Sequence, residues 1–170
     1  MIPIITVVGY SNTGKTRCLL GLISILTRRG YRVASAKHCH DGFKLDVEGK
    51  DSWKHKQAGA AITLLSSKNQ IGIIGETESP LPLEQLCARY CHDVDLLLAE
   101  GYSWEPVPKI LIVHGERLNW QRISAGENVI ALVGDEPIDS SLPHFSFDEL
   151  DRLASLLEQR FLLPPQSRQT

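Results

Sequence analysis

Residues Gly9-Tyr10-Ser11-Asn12-Thr13-Gly14-Lys15-Thr16 constrain the fold of this chain more than any other stretch. They fit the G-x-x-x-x-G-K-[ST] pattern of a phosphate-binding loop. Such a loop works between a buried strand and the N-terminus of a helix, and both flanks comply. Residues 2–8, Ile-Pro-Ile-Ile-Thr-Val-Val, form a β-branched apolar run that stops at Gly9, as a strand buried in a parallel sheet does. Residues 17–29 carry Cys18, Leu19, Leu20, Leu22, Ile23, Ile25 and Leu26, which leaves a helix only a narrow polar face. Arg28 and Arg29 then suit its negative end, and Gly30 suits its stop. In this setting Gly9, Ser11, Asn12, Thr13 and Gly14 turn backbone N–H groups toward phosphate oxygens. Lys15 adds a point charge at the β- and γ-phosphates, and the Thr16 hydroxyl binds Mg2+.

The rest of the chain continues the alternation of strand and helix. Strand-like runs fall at 31–36, 62–65, 71–74, 94–99, 110–113 and 129–133, with helical patterns at 51–58 and 83–91. Ser146-Phe147-Asp148-Glu149 is a capping box. Behind it Leu150, Leu153, Ala154, Leu157 and Phe161 recur at helical spacing up to Pro164-Pro165. The expected fold is therefore α/β of the P-loop NTPase type, a mostly parallel sheet with helices on both faces and ligands at the carboxyl ends of the strands. The runs at 62–65 and 71–74, joined by Ser66-Ser67-Lys68-Asn69, are expected to pair as a hairpin and make the sheet mixed. At 170 residues, a single nucleotide-binding domain over 1–163 with a tail at 164–170 is the expected organisation.

Charge and composition narrow the partners. A net charge of −2 gives no basic footprint for nucleic acid. No apolar run reaches the roughly 20 residues a bilayer requires. The N-terminal run leads straight into the phosphate loop and reads as a core strand rather than a signal peptide. Cys18, Cys39, Cys87 and Cys91 show no C-x-x-C pair and no disulfide spacing, so a reduced cytoplasmic protein is expected. Cys87 and Cys91 share an apolar helix face with Leu83 and Leu86, which reads as core.

Two further stretches carry chemistry. Asp95-Leu96-Leu97-Leu98-Ala99-Glu100-Gly101 resembles a Walker-B strand. Glu100, at its carboxyl end, would approach Mg2+ and act with Lys15 in catalysis, while Asp95 at the other end reads as a turn residue. Lys37-His38-Cys39-His40-Asp41-Gly42 follows the second strand, and Asp46, Gly49, Lys50, Asp51 and Ser52 continue this polar region. Three readings stand side by side. Lys37, His38 and His40 help to bind a triphosphate or second anion while Asp46 or Asp51 positions water or Mg2+. Alternatively, His38, Cys39 and His40 bind a transition metal, although alternation along an extended segment turns Cys39 away from both histidines. The third reading is an ordinary polar loop. Val133-Gly134-Asp135 leaves a late strand, where Asp135 either accepts hydrogen bonds from guanine N1 and N2 or serves as a turn aspartate before Glu136-Pro137.

In order and content, GYSNTGKT, then KHCHDGFKLDVEGKDSWKHKQAGA, then LLLAEGY resemble the MobB family of molybdopterin-guanine dinucleotide biosynthesis adapter proteins. These motifs cover about the first two-thirds of the chain, and the long middle one is the most specific. The resemblance implies a P-loop fold binding GTP and Mg2+, weak hydrolysis and a homodimer. It also implies partnership with the guanylyltransferase that attaches GMP to molybdopterin, and molybdopterin itself as a candidate ligand. It places Gly9, Ser11, Gly14, Lys15 and Thr16 on phosphate and Mg2+, Glu100 at the Walker-B acid, and Lys37, His38, His40, Asp46 and Asp51 in the family's polar segment. Some relatives have a further histidine where this chain has Asp41. The usual guanine-reading N/T-K-x-D motif is absent, so GTP over ATP rests on the resemblance. Other classes with a phosphate loop are a metallochaperone GTPase delivering nickel or zinc and a small-molecule kinase, whose arginine-bearing lid has no clear counterpart here.

Overall fold

The computed structural model describes residues 2–114, 128–136 and 140–164. The chain divides into two compact units. One comprises residues 1–38 and 82–170, the other residues 39–81. The sequence expectation of one domain over 1–163 does not draw this division.

The first unit is a six-stranded sheet. Its strands are β1 (Ile4–Val8), β2 (Val33–Lys37), β5 (Leu96–Glu100), β6 (Lys109–Ile112), β7 (Val129–Val133) and β8 (His144–Phe145). Their order is β2-β5-β1-β6-β7-β8, and every pairing is parallel. All five residues of β1 and of β5 are buried, which is why both read as uninterrupted apolar runs instead of alternating ones. Successive side chains nonetheless leave on opposite faces. Ile5, Val7, Leu98 and Ile112 pack with α1 (Lys15–Arg28) and with Leu150, Leu153 and Leu157 of α4 (Leu150–Phe161). Ile4, Leu97 and Ala99 pack with Leu83 and Cys87 of α3 (Leu83–Tyr90). Helices therefore cover both faces, as expected. Arg29 ties α1 to α4 through the Glu158 carboxylate, Ser155 Oγ at 3.1 Å and Asp151 Oδ1 at 3.2 Å.

Polar groups at the far edge are also accounted for. The Glu105 carboxylate accepts the N–H of Leu83 at 3.2 Å and so closes the start of α3. The Lys109 ammonium, buried at the start of β6, donates to the carbonyls of Glu105 at 2.6 Å and Val107 at 3.3 Å. Asp95 Oδ2 accepts the N–H of Arg32 at 2.7 Å, a turn role of the kind expected.

The second unit holds α2 (Asp51–Gln57) and the strands β3 (Ile62–Ser66) and β4 (Ile71–Gly75). The two strands form the expected antiparallel hairpin, but as a separate two-stranded sheet. Among the described residues the main sheet is thus parallel throughout, and the hairpin does not make it mixed. Pairing puts Ile62, Leu64, Ile71 and Ile73 on one face, all four exposed. Among the described residues, no helix is long and apolar enough to cross a membrane.

Candidate functional site

The site is built where β1, β2 and β5 end together. Register pairs Val7 with Glu100 and Lys37 with Glu100, so the phosphate loop, Glu100 and Lys37 share one edge. β1 then turns into the loop through Gly9 at φ +151°, where a Cβ would lie 3.0 Å from the Ile112 carbonyl oxygen. Asn12 takes φ +60°, the left-handed conformation that asparagine tolerates better than most residues. Gly14 at φ +101° opens the helix, and its carbonyl accepts the first helical bond from Cys18 N–H at 2.9 Å. The loop is braced from within: Thr13 Oγ1 donates to the Tyr10 carbonyl at 2.8 Å and Lys15 Nζ to the same oxygen at 2.5 Å.

Glu100 joins the pieces. It is nearly buried, its Oε2 accepts the Thr16 hydroxyl at 2.8 Å, and its Oε1 lies 3.6 Å from Lys37 Nζ. A hydroxyl and a carboxylate in contact, at the start of a helix, are the hard oxygen donors that suit Mg2+, which takes one or two protein oxygens and fills its octahedron with phosphate and water. The residues present fit that ion.

Asp135 and Phe147 leave β7 and β8 on the same carboxyl edge. Asp135 Oδ1 accepts the N–H of Phe147 at 3.3 Å. The Phe147 ring packs on the loop: a Cβ on Gly14 would sit 2.6 Å from its Cζ, and the Arg17 guanidinium lies 4.5 Å above its centre. The β7 and β8 exits are thereby fastened to the phosphate loop. Sequence reasoning missed Phe147 in this role, because β8 is two residues long and leaves no periodicity to read.

It also missed an aromatic group behind Glu100. Tyr102, buried and held at φ +52°, lies beside His38 and Trp104, with ring centres 4.8 Å apart for His38 and Trp104 and 5.4 Å for His38 and Tyr102. Only the folded β5 exit, where Gly101 turns the chain and its absent side chain leaves room for the His38 Cβ, brings the three together.

The remaining expected site residues divide between the units. Lys37 and His38 belong to the first; Cys39, His40, Asp46 and Asp51 belong to the second. Asp46 Oδ1 accepts Val47 N–H and Ser52 Oγ–H, each at 2.8 Å, and Asp51 pairs with Lys54 at 3.1 Å. Among the described residues, no group of three or more His, Cys, Asp or Glu side chains is arranged to hold a metal ion, so the transition-metal reading of 38–40 finds no coordination set. Burial pushes the Cys87 thiol up from its ordinary range, with Cys91 adding to the effect, and pushes Cys18 to about 12. These are core groups, not nucleophiles.

Comparison with known proteins agrees with this architecture. The profile of the family MobB, molybdopterin guanine dinucleotide synthesis protein B, matches residues 4–135. The chain is 34% identical to a molybdopterin-guanine dinucleotide biosynthesis adapter protein of Haemophilus influenzae, over 92% of this chain and 88% of that one. It is 32% identical to an adapter protein of the same description from Escherichia coli K12, over 92% of both. A crystal structure of molybdopterin-guanine biosynthesis protein B superposes with a TM-score of 0.74 at 29% identity, covering 92% of this chain and 98% of that one.

Proposed function

This chain belongs to the MobB family, the molybdopterin guanine dinucleotide synthesis proteins, and from that premise we propose that it is a GTP-binding, weakly GTP-hydrolysing adapter. In this reading it works in the cytoplasm as a homodimer and assists the guanylyltransferase that joins GMP to molybdopterin. The observation that carries the reading is the convergence of Thr16, Glu100 and Lys37 on the edge of the phosphate loop.

The chemistry follows from those side chains. Loop N–H groups and the dipole of α1 hold the phosphates. Lys15 leaves the Tyr10 carbonyl for the β- and γ-oxygens and offsets their charge, and Lys37 adds a second cation. Thr16 and Glu100 would hold Mg2+, which supplies charge neutralisation across the phosphates. Asp135 would read the base: one oxygen is fixed by Phe147 N–H, and the other would accept from the N1 and N2 donors that guanine has and adenine lacks. The exposed apolar face of Ile62, Leu64, Ile71 and Ile73 suits a second copy of the chain.

Titration calorimetry with Mg-GTP and Mg-ATP tests the nucleotide half of this proposal. Lys15→Ala is expected to remove most triphosphate affinity at unchanged fold, and Asp135→Asn to lower GTP affinity toward that for ATP by about tenfold or more. Unchanged GTP binding in Lys15→Ala would refute the phosphate-loop assignment, and unchanged discrimination in Asp135→Asn would remove Asp135 from the base site.

A further inference from the structure

Glu100 serves two partners at once. β2 and β5 run parallel, with Ser35 opposite Leu98 and Lys37 opposite Glu100. Alternation sends Val33, Ser35 and Lys37 to the face where Val33 and Leu98 pack with α1. Lys37 and Glu100 therefore leave the sheet side by side. Glu100 Oε2 accepts the Thr16 hydroxyl at 2.8 Å, and Oε1 lies 3.6 Å from the Lys37 ammonium. The two side chains differ in freedom: that of Glu100 is 11% exposed and that of Lys37 62%. The carboxylate is held in place and, so far from water, needs a counter-charge. The ammonium rides a flexible four-carbon stem, and Glu100 is its one ion-pair partner among the described residues.

Lys15 is placed differently. Its ammonium rests on the neutral Tyr10 carbonyl at 2.5 Å, so it can leave without stranding a buried charge. Lys37 rests on the carboxylate whose oxygens suit Mg2+, an ion that binds oxygen at about 2.0–2.1 Å and keeps several of its waters. A divalent ion on Glu100 and an ammonium 3.6 Å from the same carboxylate repel each other. Whichever of the two neutralises Glu100 therefore disfavours the other.

We propose that Lys37 and the divalent cation are alternative partners of Glu100, so that Lys37 keeps the metal off the carboxylate until phosphate draws its ammonium away. This rests on the nucleotide reading above and adds the regulation of that site. A triphosphate offers the Lys37 ammonium a second place. Its arrival frees Oε1 for the metal, and the metal's arrival frees Lys37 for phosphate. Each ligand tightens the other through this one side chain, by the same factor in both directions. A divalent cation that arrives alone must displace Lys37 first, and its affinity is lower by that factor.

The test begins without nucleotide. Mn2+, which takes the same oxygen donors as Mg2+, is titrated into the full chain, and the free ion is read by electron paramagnetic resonance. Lys37→Met keeps the stem and removes the charge, and is expected to bind Mn2+ about tenfold more tightly than the wild type. Lys37→Arg, which keeps the charge, is expected to stay close to the wild type. The gain is expected to vanish when Lys37→Met is combined with Glu100→Gln. A slowly hydrolysed GTP analogue is then added at saturation. Its tightening of Mn2+ is expected to be about tenfold smaller in Lys37→Met than in the wild type. A lysine that only binds phosphate would leave the nucleotide-free Mn2+ affinity unchanged in Lys37→Met, and that result overturns the inference. So does Mn2+ binding too weak to measure in both proteins, Lys37→Arg as tight as Lys37→Met, or a gain that survives Glu100→Gln. The nucleotide-free titrations involve no triphosphate, so the nucleotide reading stands or falls separately, on Lys15→Ala.

Discussion

Gly14 shows how much a single position carries. Its φ of +101° is strained for a residue with a side chain, and the Phe147 ring occupies the space a Cβ would need. Gly14→Ala should cost about 2–4 kcal/mol, combining left-handed strain with overpacking. Trimming Phe147 to Leu in the same chain should recover the steric part and leave the backbone part, which thermal melts of the two single variants and the double variant would show. Cys18 gives a second outcome at this scale. Its thiol is raised by burial from 9.0 to about 12, so the folded state holds the neutral form. The associated stability is complete below pH 9.0 and is lost as pH rises through the folded value. A thiol reagent at pH 8 should therefore label Cys39 and Cys91, both partly exposed, and reach Cys18 only in denaturant. Residues whose position follows from a fixed offset were legible in sequence: Lys15 and Thr16 open α1 and Glu100 ends β5, where motif and strand end place them. Tyr102, Trp104 and Phe147 were not, because their neighbours come from other strands and their roles depend on a turn at Gly101 and on a two-residue strand.

Elements were legible in proportion to their length. The runs at β1, β5 and α1 are long enough for periodicity to separate buried strand from buried helix. β8 is too short for that, and the start of the last helical segment differs from the regular expectation, since Phe147–Glu149 is a 3-10 turn before α4 begins at Leu150. The capping box read from sequence is present, with Ser146 N–H donating to Glu149 Oε2 at 3.0 Å. That bond, with Arg152 as a second influence, lowers the Glu149 carboxyl below its ordinary 4.5. A carboxylate with a depressed folded value contributes above the unfolded value and loses its contribution as pH falls through the folded one. Denaturant melts of the wild type and Glu149→Gln should differ at pH 6 and converge as pH drops below 4.5. A gap that stayed constant to pH 3 would place the stabilisation elsewhere.

For the molecule as a whole, alternating strands and helices were enough to anticipate a parallel α/β sheet, whereas the division at residues 39 and 81 was not visible. The hairpin has the composition of core strands, yet its pairing is satisfied within itself, so sequence alone drew it into the main sheet. Its exposed apolar face is where the proposed dimer would form. Leu64→Asp with Ile73→Asp should turn a sedimenting dimer into a monomer while leaving triphosphate affinity in place, and a wild type that sediments as a monomer at tens of micromolar would refute the dimer. The topology also sets an order of events during synthesis. The ribosome delivers the phosphate loop first, but β1 pairs on one side with β5 and on the other with β6, and Thr16 meets its carboxylate only at Glu100. Residues 39–81 are continuous in the chain and already complete by then, and compact units can form as they emerge. A nascent chain that has exposed only residues 1–95 would thus carry all the residues of the second unit and a phosphate loop still without β5 and β6 beside β1. The stretch translated earliest becomes competent for phosphate only after more than half of the polypeptide has left the ribosome.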